Sequence, residues 1–269
     1  MTAPLVAPSD MLIEGLVRNA LAEDLGRAGD ITTNAIIPPD RRWQGALVAR
    51  QPGVVAGCGF ARVAFQLLDE SVTFKVIAPD GSTVHGGDVV ATVEGPAHAI
   101  ITAERVALNY LCHLSGIATA TRSLVEAVQP HRAQICDTRK TMPGLRLFEK
   151  YAVRAGGGVN HRFGLYDAVL IKDNHIAVAG GVRAAVTKAR TAVGPAMKIE
   201  LEVDTLLQLH EALDLPIQSV LLDNMPPPTL AEAVRLVNGR FTTEASGGVG
   251  LHNVRAIAAT GVDIISVGW

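Results

Sequence analysis

Apolar residues in the first part of the chain recur at two different spacings. Over residues 10–24 they recur every three or four positions, which predicts an amphipathic helix, and residues 59–70 predict a second one. Shorter β-rich segments at 43–58 and 72–95 are bounded by glycine turns. This mixture predicts an N-terminal α+β domain.

The pattern of apolar and polar residues changes after a long helix predicted over residues 101–128, in which Gly116 is a candidate break. Beyond it, short apolar runs that end in polar residues alternate with helical stretches. The runs are AQICDTRK, DAVLIKDNH, MKIELEVD, SVLLDN, FTTEASGG and DIISVG. Alternating strands and helices predict a parallel sheet with right-handed crossovers.

This repeat favours a (β/α) barrel over an open doubly wound sheet. Charged or hydroxyl residues follow each candidate strand, and barrels gather functional groups at the carboxyl ends of their strands. Six or seven strands can be counted, which is fewer than eight. We therefore predict an α/β fold with an incomplete barrel over residues 116–269, preceded by the α+β domain over residues 1–115.

Composition and charge exclude several classes of protein. A formal charge of -2 without basic stripes argues against nucleic-acid binding. No apolar run approaches the roughly 20 residues of a membrane span, and the N-terminus lacks the pattern of a signal peptide. Cys58, Cys112 and Cys136 have no zinc or CxxC spacing, so we expect three buried, reduced thiols. The predicted location is the cytoplasm.

Positive charge concentrates in residues 137–175. This segment holds seven Lys or Arg and two His against four acids, although the whole chain is slightly acidic. The cations occur beside Gly, Pro and Thr in pairs such as Arg139–Lys140 and His161–Arg162, where backbone turns can direct them to one point. Arginine binds carboxylates and phosphates bidentately and lysine adds point charge. The segment therefore predicts a site for a small, strongly anionic ligand.

Carboxylates at other strand ends supply the opposite charge. Glu200 and Glu202 are two apart on one predicted strand and face the same side, where Glu202 can meet Asp223 of the next strand. Two carboxylates without a His or Cys partner favour Mg²⁺, which is usually bound through water and substrate phosphate. Ion pairs with Lys172 or Lys198 are the alternative. The residues alone leave both interpretations open.

Glycine loops follow the last two predicted strands, as Ser246-Gly247-Gly248 and Ser266-Val267-Gly268. Loops after the last two strands of such barrels commonly bind phosphate through backbone N–H groups. The pattern predicts that the ligand carries a phosphate.

Together these motifs resemble the quinolinate phosphoribosyltransferase family, and the resemblance covers essentially the whole chain. It rests on EDLGRAGDITT, ERVALNYLCHLSGIATAT, DTRKTMPGLRLFEKYAVRAGGGVNHR, LIKDNHI, IELEVD, LLDNM, EASGGV and DIISVG. It implies a sandwich-like N-terminal domain before the incomplete barrel. The family converts quinolinate and 5-phosphoribosyl 1-diphosphate to nicotinate mononucleotide, diphosphate and CO₂ in NAD synthesis, with Mg²⁺. It also implies a homodimer, or a dimer-based oligomer, with shared active sites.

The resemblance also implies roles for individual residues. Arg105 is expected to reach quinolinate in the neighbouring subunit's site. The quinolinate and diphosphate pocket is expected to comprise Thr138, Arg139, Lys140, His161, Arg162 and Lys172. Glu202 and Asp223 are expected to hold the ribose and Mg²⁺-diphosphate, and with Lys140 and Lys172 they are the expected catalytic residues. The 5-phosphate is expected to lie against Ser246, Gly247, Gly248, Ser266, Val267 and Gly268.

Other functions remain to be weighed against this one. The nearest is a paralogous phosphoribosyltransferase of the same fold with another acceptor, although Arg105 with His161–Arg162 favours a dicarboxylate. A sugar-phosphate barrel isomerase or synthase would need an acid–base pair and fewer cations. A non-catalytic anion-binding protein is a third candidate. The chain ends at Trp269, where the family usually continues with a further helix.

Overall fold

The computed structural model describes residues 4–269, which form two compact units. The first unit comprises the chain up to Arg122 together with Phe148–Gly157, and the second comprises Ser123–Leu147 and Gly158–Trp269. The domain boundary predicted between residues 115 and 116 stays a prediction.

The first unit combines helices with two small antiparallel sheets. Its elements are α1 (Asp10–Leu25), α2 (Ile31–Ile36), β1 (Arg42–Val48), β2 (Gly53–Val54), α3 (Cys58–Leu68), β3 (Thr73–Val76), β4 (Thr83–Val84), β5 (Val89–Pro96), α4 (Ala97–Ala127) and α5 (Arg146–Ala155), of which α4 and α5 extend past its limits. The sheets have the orders β1-β5-β3 and β2-β4. The apolar faces of the helices form one buried cluster, in which Phe60 stacks on Tyr110 and meets Phe148 edge-on. The predicted α+β character is confirmed.

Two details of the predicted helices were wrong. Helix α4 runs without a break through Gly116, because a helical glycine costs only about 1 kcal/mol relative to alanine and Leu111, Leu114 and Ala118 around it are buried. Cys112 is exposed rather than buried, since it follows Leu111 by one position and so points away from the packed face of the helix. No helix within residues 4–269 is both long and apolar enough to cross a membrane.

The second unit contains a parallel sheet of six strands with helices between them. Its elements are β6 (Gln134–Cys136), β7 (Val169–Ile171), α6 (Asp173–Ala179), α7 (Val182–Ala192), β8 (Ile199–Val203), α8 (Leu206–Ala212), β9 (Ser219–Asp223), α9 (Pro227–Val237), β10 (Thr242–Ser246), α10 (Val254–Ala258) and β11 (Ile264–Ser266). The order is β6-β11-β10-β9-β8-β7, and every neighbouring pair is parallel. Each of the six predicted runs contains one of these strands, as expected for an incomplete barrel.

The two faces of this sheet differ in chemistry because side chains alternate along a strand. One face, which includes Ile199, Leu201, Val220 and Leu222, is fully buried in the cluster formed with the helices. The opposite face carries a group of polar residues, namely Glu200, Glu202, Asp223, Glu244, Ser246 and Ser266. The register aligns Ser246 with Asp223 and Ser266 with Cys136. The polar face and the strand ends therefore hold the candidate chemistry.

Candidate active site

The candidate site lies at the carboxyl end of the six-stranded sheet. All of the predicted site residues except Arg105 belong to the second unit and lie on, or directly after, its strands or in the segment 158–162. Arg105 is exposed on α4 in the first unit. The sheet therefore brings together residues that are far apart in the sequence.

Asp137, the residue after β6, holds a second segment in place beside that strand. Val159 forms an isolated parallel bridge with Cys136. The buried Asp137 carboxylate then accepts hydrogen bonds from the backbone N–H of His161 at 2.9 Å and from the Asn160 side chain at 2.5 Å. This arrangement places His161 and Arg162 close to Arg139, which follows β6. Asp137 was not among the site residues predicted from the sequence.

The guanidinium groups of Arg139 and Arg162 lie near each other. Burial and the neighbouring Arg139 charge lower the pKa of Arg162, while Glu200 and Asp167 oppose this shift. Arg162 also donates to the carbonyl of Ala168 at 2.9 Å. The Nε of Arg139 is buried and has no hydrogen-bond partner within residues 4–269. Two adjacent cations, one with an unused donor, are suited to a ligand with more than one negative charge.

Lys140 lies against the last glycine loop. A Cβ atom at Gly268 would come within 2.7 Å of the Lys140 side chain, so glycine lets the lysine pack closely at the end of β11. The backbone N–H of Lys140 donates to the hydroxyl of Thr138 at 3.0 Å, which forms a local turn after β6. These contacts place Lys140 at the predicted phosphate loop.

Lys172 and Glu202 form an ion pair across neighbouring strands. The Nζ atom of Lys172 lies 3.0 Å from Oε2 of Glu202, and the side chains are 48% and 11% exposed. Of the two lysines considered as alternatives to a metal ion, Lys172 is therefore the one that contacts Glu202. The carboxylate of Asp223, on β9, accepts a hydrogen bond from the Asn224 side chain at 2.6 Å. Both carboxylates remain near the open end of the sheet.

The loop after β10 requires glycine. Gly247 has a φ of 96°, and a Cβ there would lie 2.0 Å from Oδ1 of Asn224. Asn224, itself at a φ of 52°, donates its backbone N–H to the carbonyl of Ser246 at 2.9 Å. A larger residue at position 247 would push the β9 and β10 loops apart. The two loops therefore pack as one unit next to Asp223.

Beneath these groups, His161 lies between two buried carboxylates. Its Nε2 is 2.9 Å from Oε2 of Glu200 and 3.4 Å from Oε2 of Glu244. The other Glu244 oxygen accepts a short hydrogen bond from the Ser266 hydroxyl. The ring Nδ1 accepts the backbone N–H of Arg162 at 2.8 Å. We call His161, Glu200, Glu244 and Ser266 the inner cluster.

These contacts fix the protonation of the imidazole. Hydrogen bonds to Glu200 and then to Glu244 raise the pKa of His161 to about 10, and burial opposes them. Burial raises the pKa of Glu244, and its contact with His161 opposes that shift. In the neutral ring, Nδ1 accepts the Arg162 N–H and the proton lies on Nε2. A second proton on Nδ1 would break this contact, which counteracts the rise in the pKa of His161.

The inner cluster includes contacts that the sequence analysis missed. Three of its members, His161, Glu200 and Glu244, form the group of potential metal ligands found within residues 4–269, with ligand atoms within 4.8 Å of one another. Glu202 and Asp223 are not part of this group. Side-chain alternation along β8 placed Glu200 on the same face as Glu202, and this was the signal in the sequence that Glu200 lies near the site. Its contact with His161 could not be inferred from spacing.

Comparisons with known proteins account for both units. Residues 30–115 match the family model of the quinolinate phosphoribosyl transferase N-terminal domain, and residues 117–269 match that of the C-terminal domain. The chain is 44% identical over 257 residues to a probable nicotinate-nucleotide pyrophosphorylase [carboxylating] of Bacillus subtilis, covering 96% of this chain and 88% of that protein.

Two further similar proteins are also named nicotinate-nucleotide pyrophosphorylase. A nicotinate-nucleotide pyrophosphorylase [carboxylating] of Mycobacterium leprae is 45% identical, with 94% of this chain and 90% of that protein covered. The solved structure of the nicotinate-nucleotide pyrophosphorylase from Francisella tularensis superposes with a TM-score of 0.94 at 38% identity, covering 100% of this chain and 94% of that one. The chain belongs to the quinolinate phosphoribosyltransferase family.

Proposed function

We propose that this protein joins quinolinate to 5-phosphoribosyl 1-diphosphate at the carboxyl end of β6–β11, releasing diphosphate and CO₂ and giving nicotinate mononucleotide. Membership of the family supports this function. The observation that carries it is the division of charge at the strand ends. Two adjacent guanidiniums, of Arg139 and Arg162, lie after β6 and its neighbouring segment, and the Lys172–Glu202 pair lies across β7 and β8.

The charge of the substrates explains why so many cations are needed. Quinolinate is a dianion and the phosphoribosyl donor carries several more charges, so the two repel each other in water. Arg139 and Arg162 would offset the charge of the quinolinate carboxylates. Lys140, packed on Gly268, and the glycine loops would bind phosphate through point charge and backbone N–H groups. A third rival, a simple anion-binding protein, would not need carboxylates beside these cations.

The reaction needs no protein nucleophile. The pyridine nitrogen of quinolinate attacks the anomeric carbon as the bond to diphosphate breaks, and the ribose acquires positive charge in the transition state. A carboxylate close to that carbon stabilises the charge, a role that Glu202 or Asp223 could fill. The positively charged pyridinium ring then accepts the electron pair left when the 2-carboxylate departs as CO₂. A proton replaces CO₂ on the ring.

Mg²⁺ is part of this proposal. Two carboxylates without histidine or cysteine form a donor set that suits Mg²⁺, which usually keeps waters and substrate phosphates as its other ligands. Glu202 and Asp223 would hold it, and when bound it would neutralise charge on the leaving diphosphate. Lys172 occupies one oxygen of Glu202 at 3.0 Å, so binding of the ion would compete with this pair.

A shared active site is the second part of the proposal. Arg105 is exposed on α4 of the first unit, and its guanidinium is therefore available to a partner. In a homodimer it would add a further cation to the quinolinate site of the neighbouring subunit. Glu104 beside it on α4 is also exposed and offers a matched control position. Dimerisation, the location in the cytoplasm and Mg²⁺ stay predictions.

One assay tests the proposed function. The purified chain is incubated with quinolinate labelled in the 2-carboxylate, 5-phosphoribosyl 1-diphosphate and MgCl₂, and labelled CO₂ is measured. We expect release that depends on all three components. Diphosphate release is then compared between quinolinate and nicotinate, which has no 2-carboxylate to lose as CO₂. A higher rate with nicotinate or another pyridine monocarboxylate would identify the paralogous transferase instead. A folded, dimeric preparation without quinolinate turnover would rule the proposal out.

A further inference from the structure

The ring nitrogens of His161 are both occupied by protein groups. Nε2 faces the carboxylates of Glu200 and Glu244, and Nδ1 accepts the N–H of Arg162. The backbone N–H of His161 donates to the Asp137 carboxylate. The ring is therefore anchored at three points within the second unit. In this geometry His161 contributes to the shape of the site rather than offering a ring nitrogen to a substrate.

Glu244 is the most buried member of the inner cluster, with a side chain that is 2% exposed. Both of its oxygens are used, one by Ser266 on the adjacent strand β11 and one by His161. A buried carboxylate is costly unless its contacts satisfy it, and an apolar residue of similar volume would often be at least as stable. Its value therefore lies in the directional contacts it makes with these two donors.

These contacts connect two parts of the proposed site. Ser266 precedes the Val267-Gly268 loop against which Lys140 packs. His161 precedes Arg162, and its Nδ1 holds the Arg162 backbone at 2.8 Å. Arg162 is anchored further along by the carbonyl of Ala168, so rotation of the imidazole would displace the guanidinium relative to Arg139. Glu244 thus acts on the position of the Arg162 guanidinium through the histidine.

A metal ion is the competing explanation for the same three side chains. Their ligand atoms lie within 4.8 Å of one another. The 2.9 Å contact between Nε2 and Glu200 has ordinary hydrogen-bond geometry, so it accounts for the positions of these two groups without an ion. In addition, the guanidinium of Arg162 interacts with Glu200. A cation in this position would have to be bound beside another positive charge.

We propose that Glu244 is a positioning residue that fixes the imidazole of His161, and through it Arg162, for binding of the quinolinate carboxylates. This inference rests on the proposed function. In this role Glu244 does not contact the substrate. It follows that a change at Glu244 acts on the affinity for the dicarboxylate acceptor and acts much less on the phosphoribosyl donor.

The test is steady-state kinetics of Glu244→Gln. The glutamine keeps the volume but removes the negative charge that faces His161. Its amide can satisfy Ser266 in either orientation, because the hydroxyl donates to an amide oxygen and accepts from an amide N–H₂. We expect the KM for quinolinate to rise by roughly tenfold or more, because small displacements of a binding group are costly. The KM for 5-phosphoribosyl 1-diphosphate should change by less than about twofold, because Ser266 keeps a hydrogen-bond partner at position 244 and the backbone N–H groups of the glycine loops are unchanged.

A matched control comes from the first unit. Glu149 is also a largely buried glutamate whose carboxylate lies 2.9 Å from a histidine Nε2, that of His113. Glu149→Gln therefore makes the same chemical change outside the candidate site. Its KM for quinolinate should equal that of the wild type. Thermal denaturation of each variant establishes that the folded protein is being compared.

A second variant protects the test against misfolding. Glu244→Asp keeps the charge but withdraws the oxygens by about one methylene length, so His161 and Ser266 cannot both be reached. We expect an intermediate rise in the KM for quinolinate, with the same selectivity. In the double variant Glu244→Gln/His161→Gln the two effects should be less than additive, because both act through one contact.

Several outcomes would overturn the proposal. One is an unchanged KM for quinolinate in both folded Glu244 variants, and another is an equal rise in the KM of both substrates. A stoichiometric metal ion in the wild type that is lost in Glu244→Gln would also overturn it, in favour of a metal site. Failure of the proposed function looks different, because the wild type itself would then release no CO₂ from quinolinate.

Discussion

Two layers of charged side chains occur at the carboxyl end of the six-stranded sheet, and they differ in their access to solvent. The outer layer consists of Lys172, Glu202 and Asp223, and its ion pair reaches solvent through the lysine, which is 48% exposed, while Glu202 is 11% exposed. The inner cluster is buried, and the carboxylates of Glu200 and Glu244 are 9% and 2% exposed. The outer groups can exchange their partners for a ligand, whereas the inner groups are committed to one another.

The comparison shows that the same residue types on one strand can have different roles. Glu200 and Glu202 share a face of β8, but one contacts a buried histidine and the other an exposed lysine. An exposed ion pair contributes only about 0–1 kcal/mol to stability. A buried group left without its partner costs about 1–3 kcal/mol. We therefore expect outer substitutions to remove activity and inner ones to change stability as well.

The largest effect is expected at Lys172. If the proposed function is right, Lys172→Ala should lower kcat/KM by about 1000-fold or more, because a positive charge expected to face the anionic substrates is removed. The melting temperature should fall by no more than about 4 °C, because the Lys172 side of the pair is open to water although Glu202, which is 11% exposed, loses its partner. CO₂ release and calorimetry measure the two quantities. Lys188→Ala on α7, an exposed lysine outside the site, is the control. Near-normal turnover in Lys172→Ala would refute its placement among the catalytic residues.

Arg139 offers a test of the adjacent guanidiniums of Arg139 and Arg162. Arg139→Ala should reduce kcat/KM for quinolinate by about 100- to 1000-fold, because the bidentate contact with a carboxylate is lost. Its buried Nε has no partner within residues 4–269, so its removal should cost little stability. Urea unfolding would report that cost. A stability loss larger than the loss of binding would place Arg139 with the inner cluster instead.

Glu202 separates the metal interpretation from the ion-pair interpretation. If Glu202 holds Mg²⁺ as proposed, Glu202→Gln should lower turnover by about 100-fold and raise the Mg²⁺ concentration needed for half-maximal rate, because a carboxylate ligand would be lost. A Mg²⁺ titration of the initial rate measures this. Glu232→Gln on α9 is an exposed control. A reduced rate with an unchanged Mg²⁺ dependence would leave Glu202 as the partner of Lys172 and not of the ion.

The smallest effect is expected at Ser266. Its hydroxyl donates to Glu244, so Ser266→Ala should cost about 1 kcal/mol of stability through the lost hydrogen bond. Urea denaturation measures this. The KM for 5-phosphoribosyl 1-diphosphate should change by less than about threefold, because the Ser266 hydroxyl is used by Glu244 and the variant therefore leaves the contacts that bind the donor in place. A large rise in that KM would support the phosphate-binding role that the sequence predicts for Ser266.

The sequence predicted more of the fold than of the contacts within the site. Alternating apolar runs and helical stretches identified all six parallel strands, and glycine turns marked the β-rich segments of the first unit. Short elements were missed, such as α2, because six residues carry too little periodicity to be recognised. The break expected at Gly116 was wrong because buried neighbours outweigh the weak helix propensity of one glycine.

The sequence by itself determined the family, the strand–helix repeat and the residues that follow the strands, because motifs and periodicity are local properties of the chain. It also placed Glu200 and Glu202 on one face, since side chains alternate along a strand. Only the tertiary structure decided that Glu202 meets Lys172 while Glu200 and Glu244 enclose His161. Such pairings depend on the register between strands and on the loop that Asp137 holds in place, and both are set by packing across the whole unit.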